Sequence, residues 1–181
     1  AVLGLDMDEA EPVLAALSAE DVYLANHSSP TQIVLAGSSD ALDKADRLFE
    51  EAGALKFVRL KVSGPFHSPL MEQARLELSD YLRDVDFRNP TKPIFANVTG
   101  DRIPDGESAR KLCSAQIVSP VRWVSSEEQI VALGCDQVIE VGPGKVLAGL
   151  WKSFTKKSRC QPAGTVDEIR SLANAEQTDN T

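Results

Sequence analysis

A chain of 181 residues is long enough for one large domain or two small ones, with a sizeable buried core. Its 43% hydrophobic and 25% charged content is ordinary for a globular protein, and no apolar run approaches the ~20 residues a membrane helix needs. The formal net charge of -8 argues against nucleic acid as the main partner. No basic segment followed by an apolar one marks a signal peptide, and Cys113, Cys135 and Cys160 are odd in number, widely spaced and without a metal-ligand pattern. They fit reduced thiols, so the expected setting is the cytoplasm.

Residues 1–62 read as strand, helix, strand, strand, helix, strand. Val2 to Leu5 is the first strand, already under way at Ala1, which suggests a fragment or a trimmed chain. Asp8 or Glu9 opens a helix with Val13, Leu14 and Leu17 on one face. Val22–Ala25 and Gln32–Ala36 are strands around an Asn26-His27-Ser28-Ser29-Pro30 turn. Ser39 or Asp40 caps a helix whose apolar stripe is Leu42, Ala45, Leu48, Phe49 and Ala52; Gly53 ends it, and Leu55–Val62 closes the unit. That order is the ferredoxin-like, split βαβ arrangement.

Ser63-Gly64-Pro65 breaks the strand, and Ser68-Pro69 supplies the N-cap and first position of a helix running to about Val85. His67 is thereby held at a strand-to-helix turn, where an imidazole is a candidate proton acceptor near neutral pH; a surface or cap histidine is the plainer alternative. Further on, Ile94–Val98 reads as a short buried strand, Pro104–Glu107 as a turn and Ala109–Gln116 as a helix. A helix follows Pro120-Val121-Arg122-Trp123 and ends near Gly134. Gln137–Val141 is an apolar strand, and Lys145–Phe154 a helix with Val146, Leu147, Leu150 and Trp151 inward. Thr165 and Glu168 form a capping box for a last helix, Val166–Ala173, ahead of a polar tail at 174–181. Alternating strands and helices imply a parallel sheet, but two or three such strands are too few to stand alone. An absent N-terminal half, or a second polypeptide, is therefore expected.

Five segments occur in order: Ala25–Val34, Lys61–Met71, Asn97-Val98-Thr99-Gly100, Gln116–Trp123 and Glu140–Leu147. Together they resemble the malonyl-CoA:acyl-carrier-protein transacylases and the related polyketide acyltransferase domains, over Ala1 to about Ser153. The resemblance implies an α/β fold, divided into a ferredoxin-like subdomain at 1–62 and the C-terminal part of a parallel-sheet acyltransferase core at 63–173. It implies transfer of a malonyl group through an acyl-serine, with acyl carrier protein and malonyl-CoA as partners, no resident cofactor, and no metal. His67 matches the family's histidine base. Gln116 occupies the position whose main-chain carbonyl holds the second ring nitrogen, although a plain helix-end residue is an equal alternative. Phe66 resembles the malonyl-selective pattern, since a ring beside the α-carbon leaves no room for a methyl; a core aromatic is the other reading. Asn26 and Ser28 match substrate-facing positions, Ser28 standing where the family often has asparagine. Val146 matches a pocket contact, and His27 is expected as an exposed bystander.

No Gly-x-Ser-x-Gly occurs, so the expectation is a chain with the base but without the nucleophile. Lys145, Lys152, Lys156, Lys157 and Arg159 gather around one helix, as a solvated face or a landing patch for an anionic partner. Two rival readings stand beside the transacylase: a polyketide-synthase acyltransferase fragment and a non-catalytic interaction module.

Overall fold

In the computed structural model, residues 1–179 are described, with side chains to Asn174. The polar tail expected at 174–181 is helical as far as Asp179, because nothing from Ala173 to Asp179 breaks a helix; positions 180–181 lie outside the described residues. Contacts divide the chain into a unit of Ala1–Gln129 and a second unit beginning at Ile130.

The first unit holds a five-stranded mixed sheet. Its strands are β1 (Val2–Leu3), β2 (Tyr23–Ser29), β3 (Gln32–Ala36), β4 (Lys56–Phe57) and, far along the chain, β7 (Val121–Arg122). Their order is β4-β1-β3-β2-β7. The first four are antiparallel neighbours in the ferredoxin-like order expected for residues 1–62. β7 then adds itself in parallel to β2, so the sheet extends beyond that boundary.

Two helices complete the ferredoxin-like part. Helix α1 (Met7–Ala16) starts earlier than expected because Asp6 makes the capping box: its carboxylate accepts from Glu9 N at 2.9 Å, and Glu9 accepts from Asp6 N at 3.0 Å. Helix α2 (Ser39–Glu51) is capped by Ser38, and Gly53, at φ +96, follows its last residue as a left-handed stop. Both lay their apolar faces on the sheet, and Val2, Leu17, Ile33, Ala45 and Phe49 form the centre of the core.

Two expectations fail on this sheet. The Asn26–Ser29 segment is strand rather than turn: β2 carries it through two irregularities, leaving Pro30 and Thr31 to turn the chain. The strand expected from Leu55 to Val62 pairs only at Lys56 and Phe57, because its partner β1 is two residues long.

Beyond β4 the unit continues with a 3₁₀ turn at Pro69–Met71 and α3 (Glu72–Tyr81). A hairpin of β5 (Phe95–Ala96) and β6 (Asp101–Arg102) follows, with Asn97–Gly100 as its turn, so the expected buried strand at Ile94–Val98 is half that length and Ile94 is exposed. Next come α4 (Gly106–Ala115), capped by Asp105, and α5 (Trp123–Ala132), which crosses into the second unit.

That second unit is a βαβ. Strands β8 (Val138–Val141) and β9 (Cys160–Ala163) pair in parallel around α6 (Val146–Phe154). The Glu140 carboxylate, on β8, accepts from Leu147 N at 3.0 Å and Ala148 N at 2.8 Å, capping α6 from outside its own segment. Trp151 is buried, but Val146 is 70% exposed and Leu147 is also exposed, against the inward placement expected for both. Thr165 and Glu168 close their capping box at the start of α7 (Val166–Asp179). Among the described residues no helix is long and apolar enough to cross a membrane.

Candidate active site

Four of the residues singled out by the sequence, Asn26, Ser28, Phe66 and His67, line one cavity of the first unit. A cavity of about 760 Å³ is lined by Asn26 and Ser28 from β2, Val34 from β3, Phe57 from β4, and Phe66 and His67 from the segment before α3. Strand alternation explains the first two. Asn26 and Ser28 line the cavity while His27, between them, does not. His27 is also not the exposed turn residue expected. It sits inside the sheet between Ile33 and Arg122, with Nε2 buried and unbonded, and burial pushes its pKa below the usual histidine value.

His67 is half-buried and adopts φ +60, a left-handed conformation that a residue with a side chain takes only when its surroundings impose it. What imposes it is the segment after α4. The His67 amide donates to the Ile117 carbonyl at 3.2 Å, and ring Nδ1 lies 2.9 Å from the Gln116 carbonyl. A carbonyl only accepts, so Nδ1 carries a proton in this pair and Nε2 is the nitrogen that this bond leaves uncommitted. The Gln116 amide nitrogen donates to Ser119 O at 2.9 Å and lies 3.4 Å from Nδ1, the longer of the two contacts that ring nitrogen makes. Gln116 thus stands behind the ring rather than in the cavity.

The turn itself is braced from below. Ser68 is fully buried and donates its hydroxyl to Pro65 O at 2.6 Å. It therefore does not cap the following turn with its side chain, as expected from Ser68-Pro69, but ties the loop to itself. Phe66, 45% exposed, contributes its ring to the cavity wall. Val146 belongs to the second unit, at the first position of α6.

Two supporting groups escaped the sequence reading: Ile117, whose carbonyl holds the His67 backbone, and Ser119, which takes the Gln116 amide. Both act through main-chain oxygens, which carry no residue-type signal. The signal that could have pointed to them is the Gln116–Trp123 segment, singled out as a whole but read only at its first residue.

This arrangement can do one thing chemically: hold an imidazole with Nδ1 pinned, leaving Nε2 as the nitrogen that can exchange a proton beside an apolar-walled cavity. The acyl transferase domain family matches residues 1–177. The chain belongs to that family. Among its relatives, a malonyl CoA-acyl carrier protein transacylase of Staphylococcus aureus is 34% identical over 172 residues, covering 94% of this chain and 56% of the relative. The acyl carrier protein S-malonyltransferase of Vibrio cholerae superimposes with a TM-score of 0.89 at 34% identity, over 94% of this chain and 56% of that one. A malonyl-transacylase in complex with a holo type II polyketide-synthase acyl-carrier protein gives a TM-score of 0.88 at 31% identity, over 96% and 57%. This acyl transferase chain thus spans about half the length of the relatives it matches.

Proposed function

We propose that this acyl transferase chain supplies the base and one wall of the substrate cavity for moving a malonyl group from malonyl-CoA to the phosphopantetheine thiol of an acyl carrier protein, in fatty-acid synthesis in the cytoplasm. The observation that carries the reading is the His67 ring, with Nδ1–H fixed on the Gln116 carbonyl beside a cavity that also holds Phe66, Asn26 and Ser28.

In this mechanism His67 Nε2 takes the proton of a serine hydroxyl as its oxygen attacks the thioester carbonyl carbon. The tetrahedral oxyanion collapses, the carbon–sulfur bond breaks, and the imidazolium returns its proton to the departing CoA thiolate. The second half repeats the steps in reverse, with His67 deprotonating the carrier's thiol and then reprotonating serine. No cofactor is needed. Asn26 and Ser28 offer hydrogen bonds to the substrate, and Phe66 excludes a methyl branch. The serine lies outside residues 1–181, since these contain no Gly-x-Ser-x-Gly elbow.

A polyketide pathway is the second reading, favoured by the neighbour that is bound to a polyketide carrier protein. A test starts from a chimera in which this chain replaces the matching part of the Staphylococcus aureus relative. The chimera should transfer malonyl groups to carrier protein, and His67→Ala should slow it ~10²–10⁴-fold. The chain alone, incubated with malonyl-CoA, should show no added mass. A malonyl adduct on the isolated chain, or undiminished transfer by the His67→Ala chimera, overturns the proposal.

A further inference from the structure

The first unit has a second concavity, which shares no lining residue with the cavity beside His67. It is a cleft of about 340 Å³ in the seam between α3 and α4. One side presents Arg75, Ser79 and Arg83; the other presents Arg110, Lys111 and Ser114. The spacing explains much of the convergence, since residues four apart on a helix share a face, as do Arg75 with Ser79 and Arg110 with Ser114; Arg83 follows in the 3₁₀ turn Leu82–Asp84. No carboxylate lines the cleft, in a chain whose net charge is -8.

Three of the four cations reach back to carboxylates on their own turns: Arg75 to Glu72 at 2.6 Å, Arg83 to Asp80 at 2.8 Å and Lys111 to Glu107 at 2.7 Å. These are surface pairs, weak enough for a better anion to compete. Arg110 has no such pair among the described residues. One of its terminal nitrogens donates to Val85 O at 3.0 Å, its guanidinium lies 5.5 Å from the Phe87 ring centre, and its Nε is buried without a partner. Ser114 is 6% exposed, and its hydroxyl also makes no hydrogen bond. A buried donor left unsatisfied costs about 1–3 kcal/mol, so both groups gain from an acceptor brought to them.

We propose that this cleft is a binding site for a phosphoryl-class oxyanion. Guanidinium forks and hydroxyls are the donors that tetrahedral oxyanions take, and a bidentate Arg contact is stronger and more selective than a lone ammonium. The volume suits a phosphoryl or pyrophosphoryl group with its waters, so the anion is either free or the phosphate end of a nucleotide that otherwise stays outside. Leu82 and Val118, also in the lining, make the walls partly apolar and strengthen the charge–charge contacts above them.

Calorimetric titration of the chain with sodium pyrophosphate, and separately with adenosine 3′,5′-bisphosphate, tests this at constant ionic strength against chloride. The expected result is saturable one-site binding with a Kd below ~1 mM. Tighter binding of the bisphosphate assigns the nucleotide as the source, and equal binding assigns the free anion. Arg110→Gln should weaken binding about tenfold. Since Arg110 also supports the fold, the double variant Arg83→Gln/Lys111→Gln, changed only at exposed side chains, should weaken it at least about fivefold. Heats no larger than those of chloride, or a double variant that binds as tightly as the parent, overturn the proposal.

Discussion

Glu127 is the most strained ionisable residue of the first unit. It is wholly buried on α5, one carboxylate oxygen accepts from Trp123 Nε1 at 2.9 Å, and the other has no partner among the described residues. Burial outweighs that bond and pushes its pKa up from 4.5 to about 7. The sign follows directly. Between those two values the unfolded chain has lost the proton while the folded chain keeps it, so stability falls as pH rises through this window and is flat above it. At ~1.4 kcal/mol per pH unit the full effect is roughly 3 kcal/mol. Urea unfolding at pH 5 and pH 7.5 should show the parent losing stability relative to Glu127→Gln, which cannot ionise; equal changes in both proteins would discount the effect. None of this was legible beforehand, because Glu127 in Trp123–Ala132 reads as an ordinary exposed helix residue. His67 was legible, through its motif, and so was the nearness of residue 116. The left-handed backbone at His67 was not: it is held by hydrogen bonds that His67 donates to the carbonyls of residues 116 and 117, and no local rule puts a histidine there.

At the scale of elements, the short strands and the helix caps carry the information. Helix starts were placed well where a cap signal stood at the first turn: α7 begins at Val166 as expected, and α2 is capped by Ser38, one residue before the expected Ser39 or Asp40. They were misplaced where the cap lay upstream of the stripe, as with Asp6. The Glu140 cap was invisible because donor and acceptor belong to different elements; only a folded βαβ brings β8 over the start of α6. Glu140→Ala removes a buried acceptor that two amides share, and should cost about 1–3 kcal/mol in urea unfolding, with Glu140→Gln costing less because one acceptor oxygen remains. A Glu140→Ala chain as stable as the parent would mean that water caps α6 equally well. The Asn26–Ser29 segment was mistaken for a turn for a related reason. Its polar composition signals a loop, yet it gains two neighbours, β3 and β7, and the second comes from almost a hundred residues later. Pairing overrode propensity.

For the molecule as a whole, the ferredoxin-like order was legible because each of its elements is signalled locally, whereas the addition of β7 to the sheet was not. The rim of the large cavity is unusually apolar: Leu60, Val62, Phe66 and Leu70 are all exposed at its edge. Contiguous exposed apolar surface binds hydrophobic dyes in the native state. Anilinonaphthalene sulfonate fluorescence should therefore rise with the folded chain, and Leu60→Ser/Val62→Ser should lower it by about half without changing the unfolding midpoint much; unchanged fluorescence would place the dye elsewhere. The same cavity depends on a contact between positions 49 apart in sequence, His67 with Gln116. An intermediate with residues 1–70 in place but α4 undocked would hold every conspicuous residue of the site and still have a freely spinning ring. The orientation of the ring is thus set by the finished tertiary structure and not by the segment that carries it.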